Sequence, residues 1–183
     1  MRIIAGTLRG RRLQSPTWEG VRPTSDRLRE TLFNVLGPRV AGARVLDGYA
    51  GTGALGIEAI SRGAVWVAFV ECDRRAEALV SENLVRCGIE HGYVIIRATV
   101  ARAVETLTAA PGFVPFDIIL LDPPYDRPPS DVLGDVDRLL APGGLVVIEH
   151  ARKSVAPDEA GRLERIRELR SGDSSLTFYT CRL

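Results

Sequence analysis

From Arg44 onward the chain alternates between short apolar runs and longer segments with helical spacing of apolar residues. Val45-Leu46-Asp47 reads as a strand, followed by a glycine-rich loop, a helix near Ala54 to Ser61 and an apolar strand from Val65 to Val70. Arg74 to Cys87 places Ala76, Leu79, Val80 and Leu84 on one helical face and stops at Gly88; strand Tyr93 to Arg97 and helix Ala101 to Leu107 follow. Phe116 to Leu121 is almost continuously apolar, as a strand covered on both faces must be. Ser130 to Leu140 predicts another helix, Pro142-Gly143-Gly144 a turn and Leu145 to Ile148 a buried strand. Repeated strand and helix units predict an α/β fold, a Rossmann-like and mainly parallel doubly wound sheet. The tail differs, since Leu163 to Leu169 and Leu176 to Cys181 are both strand-like around Ser171-Gly172-Asp173, which predicts a closing antiparallel hairpin.

Ahead of this body, Arg2 to Gly6 and Arg11 to Gln14 read as two strands of a basic β-hairpin arm, and Trp18 to Pro23 as loop. Asp26 to Leu36 has helical apolar spacing, a capping residue at Ser25 or Asp26 and a stop at Gly37-Pro38, and is expected to join arm and body. The division expected is an arm over 1–40 and a globular domain over 41–183.

Charge sharpens that division. A net charge of +1 over 183 residues conceals nine arginines against three acids in residues 1–44, which suggests a phosphate-contacting surface beside an acidic body. The same charges would also suit a solvated face, and with Lys153 the only lysine, arginine identity itself says little. The three cysteines form no C-x-x-C pair and have two histidines to join, so reduced thiols in a cytoplasmic protein, and no metal, are expected. No apolar run approaches the roughly 20 residues of a membrane span.

Two motifs carry chemistry. Asp47-Gly48-Tyr49-Ala50-Gly51-Thr52-Gly53 follows the first strand, where open α/β sheets bind ligands. Gly51, Gly53 and Gly56 also satisfy a dinucleotide fingerprint, and Glu71 lies at the distance a nicotinamide enzyme would use. The strand-end carboxylate of Asp47 sits awkwardly beside a pyrophosphate and suits an ammonium, which favours a methyl donor such as S-adenosylmethionine. Glu71 then suits a ribose diol under either reading, and Cys72 a pocket wall.

Asp122-Pro123-Pro124-Tyr125 ends the fourth strand at the same sheet edge. An exocyclic base amine is a poor nucleophile, because its lone pair is delocalised; acceptors on its two hydrogens, here the Asp122 carboxylate and the Pro123 carbonyl, can turn that lone pair toward a methyl carbon. Pro123 and Pro124 fix the backbone, and Tyr125 offers a stacking face. This points to amino methylation of a nucleic-acid base.

Together with Arg2 to Gly6, Arg9 to Leu13, Arg22 to Arg27, Phe33 to Leu36, Asp47 to Gly56, Glu58-Ala59 and Ser61 to Ala64, the motif makes the chain resemble the RsmD-type bacterial methyltransferases. The resemblance implies a seven-stranded class I methyltransferase fold, S-adenosylmethionine as cofactor, and guanine N2 in the helix 31 loop of 16S ribosomal RNA as target. It also implies an assembled small subunit as substrate. Tyr49 stands where the family usually carries Phe, and Ala98-Thr99 replaces an acid near the adenine, so that backbone groups at Thr99 are expected to serve there. Arg9, Arg11 and Arg12 are expected on phosphates, with Arg22, Thr24 and Arg27 nearer the site. Asn34 and Glu149 are weaker candidates, and a monomer is expected. A DNA amino-methyltransferase and a non-catalytic ribosome-assembly factor are the alternatives; the first lacks a second domain to hold a flipped base, and the intact Asp47, Glu71 and Asp122 argue against the second.

Overall fold

The computed structural model describes residues 1–18 and 25–182. Helix α1 (Asp26–Leu36) begins where Ser25 accepts from the Leu28 amide and ends at Gly37. The body continues as β1 (Arg44–Gly48), α2 (Ala54–Ser61), β2 (Trp66–Glu71), α3 (Arg74–Cys87), β3 (Tyr93–Arg97), α4 (Val100–Ala109) and β4 (Phe116–Leu121). It finishes with α5 (Pro129–Leu133), β5 (Leu140–Ala151), β6 (Glu159–Ala160), β7 (Leu163–Ser171) and β8 (Ser174–Cys181). The sheet runs β3-β2-β1-β4-β5-β8-β7-β6, with β1 to β5 parallel and β8, β7 and β6 antiparallel.

The expected parallel sheet and closing hairpin are both present. The strand count is eight because the two-residue β6 pairs with the start of β7 at the sheet's edge. The segment expected as one helix from Ser130 to Leu140 is broken, since Gly134 stops α5 and Val136–Leu139 turns as a 3-10 helix. The glycine adopts φ 32° and ψ −128°, which no helical turn can include. Pro142-Gly143-Gly144 lies inside β5: Phe116 pairs with Leu140 and Ile118 with Leu145, so a bulge takes up the extra residues.

The sheet separates two apolar clusters. One gathers α1, α2 and α3 around Phe33, Leu46's neighbour Val45, Ile57 and Phe69; the other gathers α4 and α5 around Val104, Phe116, Ile119 and Leu133.

The N-terminal segment belongs to the first cluster, through buried Ile3 and Leu13. Its two expected strands reduce to a single Arg2–Arg12 bridge. Backbone bonds still cross it, from the Ile3 amide to Arg11, the Gly10 amide to Ile3 and the Leu13 amide to Met1, but α2 takes the amides beyond. Glu58, fully buried, accepts from the Ile4 amide at 2.8 Å, the Ala5 amide at 3.0 Å and Arg62 Nε at 2.7 Å. Ser61 Oγ donates to the Ala5 carbonyl and accepts from the Leu8 amide at 2.9 Å. Gly6, at φ 81°, lets the backbones meet: a Cβ there would lie 1.8 Å from the Ser61 carbonyl oxygen. From the other side, buried Arg29 of α1 donates to the Arg2 carbonyl and to Asp26, and burial lowers its pKa against the pull of Asp26 and Glu58.

Candidate functional site

The glycine loop, the Asp122 motif and the ends of β2 and β5 meet at the carboxyl edge of the sheet. β1 and β4 are hydrogen-bonded neighbours, and the Asp122 amide extends their ladder by donating to the Gly48 carbonyl at 3.3 Å. This adjacency brings residues 47 and 122 to one place.

Asp47 is buried at the end of β1. One oxygen accepts from the Gly56 amide at 2.8 Å, capping α2 from outside because its first residue follows a glycine, Gly53. The other oxygen, Oδ1, is buried with no hydrogen-bond partner. Burial raises the Asp47 pKa well above the ordinary aspartate value, opposed by the Gly56 hydrogen bond and reinforced by the charges of Asp122 and Glu71. Three carboxylates thus converge on one cleft edge, and the orphaned oxygen among them calls for a cationic donor.

Glu71 ends β2 and shapes the same loop, accepting from the Gly51 amide at 2.9 Å and the Asp73 amide at 2.8 Å. Each of its oxygens retains a second lone pair for a hydroxyl. Gly48 is required by close packing, since a Cβ would lie 2.7 Å from Leu121 Cδ2, and Gly51 and Gly53 take positive φ of 57° and 76°. Gly56 belongs to packing, since a Cβ would lie 2.2 Å from the Phe69 ring. Tyr49 is the non-glycine residue at positive φ, 63°, among those described. Its phenol is pushed up in pKa by burial and drawn back by the Arg127 guanidinium that follows the Asp122 motif. Cys72 is exposed and Thr99 caps α4 by accepting from the Arg102 amide at 3.3 Å.

Within the motif, Pro123 is buried and Pro124 exposed. The Pro124 carbonyl accepts from the Arg127 amide at 3.1 Å, closing a turn. Tyr125 Oη donates to Glu149 Oε1 at 3.0 Å and lies 2.5 Å from Ser174 Oγ. Glu149, a weaker candidate from the sequence, thus meets the motif's tyrosine.

The basic residues sit elsewhere. Arg9, Arg11, Arg12 and Arg27 are exposed. The turn carrying Arg9 lies against Ser61, at the end of α2 remote from the glycine loop, about 12 Å away by helical rise. Asn34 is exposed on α1, and Arg22 and Thr24 lie outside the described residues.

Sequence reasoning missed Asn83. Buried on α3, it accepts from the Gln14 amide at 2.7 Å and donates to the Gln14 carbonyl at 3.1 Å and the Thr52 carbonyl at 2.9 Å. One side chain thereby ties the N-terminal segment to the glycine loop. A polar residue between Val80 and Leu84 on the apolar face of α3 was the available signal.

Known proteins share this architecture and sequence. The family model described as Conserved hypothetical protein 95 matches residues 1–180. The putative rRNA methyltransferase YlbH of Bacillus subtilis is 35% identical over 182 residues, 98% of each chain. Ribosomal RNA small subunit methyltransferase D of Haemophilus influenzae is 42% identical over 127 residues, spanning 68% of this chain and 64% of that protein. A solved structure titled putative methyltransferase yhhF, from Escherichia coli, superposes with a TM-score of 0.81 at 33% identity, covering 99% of this chain and 97% of that one. The chain therefore belongs to the Conserved hypothetical protein 95 family, the RsmD family of methyltransferases.

Proposed function

We propose that the protein methylates the exocyclic N2 of a guanine in 16S ribosomal RNA, in the helix 31 loop of an assembled small subunit, with S-adenosylmethionine as methyl donor. The observation that carries this reading is the Asp122 to Tyr125 motif, laid beside Gly48 by the β1–β4 ladder. The names of the relatives supply the ribosomal substrate. The protein works as a cytoplasmic monomer, residues 1–40 serving RNA recognition and 41–183 cofactor binding and transfer.

The residues fit the cofactor. Buried Asp47 Oδ1 lacks a donor, as a carboxylate awaiting an ammonium would. Gly48, Gly51 and Gly53 offer backbone groups to the cofactor, Glu71 faces the ribose hydroxyls, and Tyr49, Cys72 and the Thr99 backbone line the adenine side. When bound, S-adenosylmethionine supplies an electrophilic methyl carbon. Asp122 and the Pro123 carbonyl accept from the two hydrogens of the guanine amine and direct its lone pair, and Pro124 holds that carbonyl's orientation. Tyr125 stacks on the base. The proton released goes to Asp122 or to water. Arg9, Arg11, Arg12, Arg22, Thr24 and Arg27 hold the RNA backbone.

The test supplies methyl-labelled cofactor with undermethylated small subunits, naked ribosomal RNA or DNA, followed by nucleoside identification. Label in N2-methylguanosine from subunits is expected; label in DNA alone refutes the reading. Asp122→Ala is expected to abolish transfer with cofactor affinity retained, measured by calorimetry. Loss of both together would make Asp122 a cofactor ligand.

A further inference from the structure

The phenol of Tyr125 has no part in the stacking role just described, for which a phenylalanine ring would serve. Yet it is held at two points. Its hydroxyl donates to Glu149 Oε1 at 3.0 Å, and with that proton committed the 2.5 Å contact to Ser174 is a bond donated by the serine hydroxyl. Both holders are buried, on different strands. Glu149 lies on β5 and Ser174 opens β8, where it pairs with Ala151 of β5 and Ser171 of β7. The Arg152 amide donates to the Asp173 carbonyl at 2.7 Å, fastening the hairpin turn to the end of β5.

We propose that Glu149 and Ser174 are positioning residues that fix the direction of the Tyr125 ring axis, and so where the ring lies against the target base. This rests on the stacking reading of Tyr125. The turn from Pro124 to Arg127 sets the backbone, and the held hydroxyl blocks rotation about Cα–Cβ, which would swing the ring's far end away. Two strands hold that hydroxyl, so the ring's place beside the base is set before substrate arrives. Pre-setting it spares the transition state the ordering of an aromatic ring, and an error of about 1 Å in such placement can cost on the order of 100-fold in rate. The antiparallel hairpin thereby acquires a task in the reaction, though none of the proposed cofactor contacts comes from it.

The experiment compares Tyr125→Phe, Tyr125→Ala, Ser174→Ala, Glu149→Ala and Glu149→Gln in steady-state methylation of undermethylated subunits, with cofactor affinity measured by calorimetry. Tyr125→Phe and Ser174→Ala are expected to lower kcat on the order of 10- to 100-fold, with KM for subunits and cofactor affinity unchanged. Glu149→Gln, which keeps an acceptor, is expected to retain more activity than Glu149→Ala. Combining Tyr125→Phe with Ser174→Ala is expected to be no worse than Tyr125→Phe alone, because both remove one interaction. Wild-type kcat in Tyr125→Phe beside an inactive Tyr125→Ala overturns the positioning role and leaves stacking intact. Wild-type kcat in Tyr125→Ala removes the stacking reading itself. Parallel loss of kcat and cofactor affinity in Ser174→Ala makes the contact a structural brace and also overturns the proposal.

Discussion

Replacing Glu58 with alanine tests whether α2 holds the N-terminal segment. The side chain has no exposure and receives three hydrogen bonds, two from backbone amides of the segment and one from Arg62. Its loss leaves the Ile4 and Ala5 amides without an acceptor and a largely buried guanidinium without its partner. Removing one member of a buried pair costs about 3–5 kcal/mol. In a chain of this size each kcal/mol lowers Tm by roughly 2–4 °C, so a fall of about 6–20 °C is expected. Circular dichroism melts measure the global effect. Limited trypsinolysis measures the local one, since Arg9, Arg11 and Arg12 become cleavable once the segment lifts from α2. A change under about 1 kcal/mol, the range of exposed ion pairs, with unaltered cleavage would show that Ile3 and Leu13 alone hold the segment and would refute the clamp.

Further outcomes follow from the site. Asp47 has a folded pKa raised by burial, so the folded state binds its proton more tightly and loses stability as pH climbs from the ordinary aspartate range through the raised value. Asp47→Asn is therefore expected to melt higher than wild type at neutral pH, the gain vanishing in acid, while cofactor affinity falls in calorimetry; a lower Tm at neutral pH would contradict the desolvation account. Replacing Arg11 and Arg12 with alanine is expected to weaken RNA binding and flatten its dependence on salt in filter-binding assays, and an unchanged salt slope would return them to a solvated surface. Gly56→Ala drives a Cβ into the Phe69 ring and is expected to destabilise the fold by about 1–3 kcal/mol in urea melts; a neutral result would mean that the ring moves freely.

Much of this architecture is legible locally. The bounds of α1 and α3 follow from Ser25, Gly37 and Gly88, because caps and stops act on their immediate neighbours. The β4 run and the Ser171-Gly172-Asp173 turn announce themselves for the same reason. What escaped was long-range. Nothing near Glu58 in sequence shows that its carboxylate meets Ile4, and the expected pairing stops short because that carboxylate takes the Ile4 and Ala5 amides. A clue was present, since α2 is buried nearly all round and a lone acid inside such a helix requires a partner. The meeting of Tyr125, Glu149 and Ser174 needs the β5–β8 register, which no local pattern carries.

The placement of the Arg9 turn at the far end of α2 bears on substrate size. A ligand that touches both this turn and the Asp122 cleft must reach across about 12 Å, the length of a helix of eight residues. On the proposed reading, a mononucleotide carrying the target guanine fills the cleft and leaves the arginines idle, whereas a strand of several nucleotides, at about 3.4 Å per stacked base, is long enough to engage both. Length alone then favours a polynucleotide over a free nucleotide: the reach between two contact points acts as a ruler.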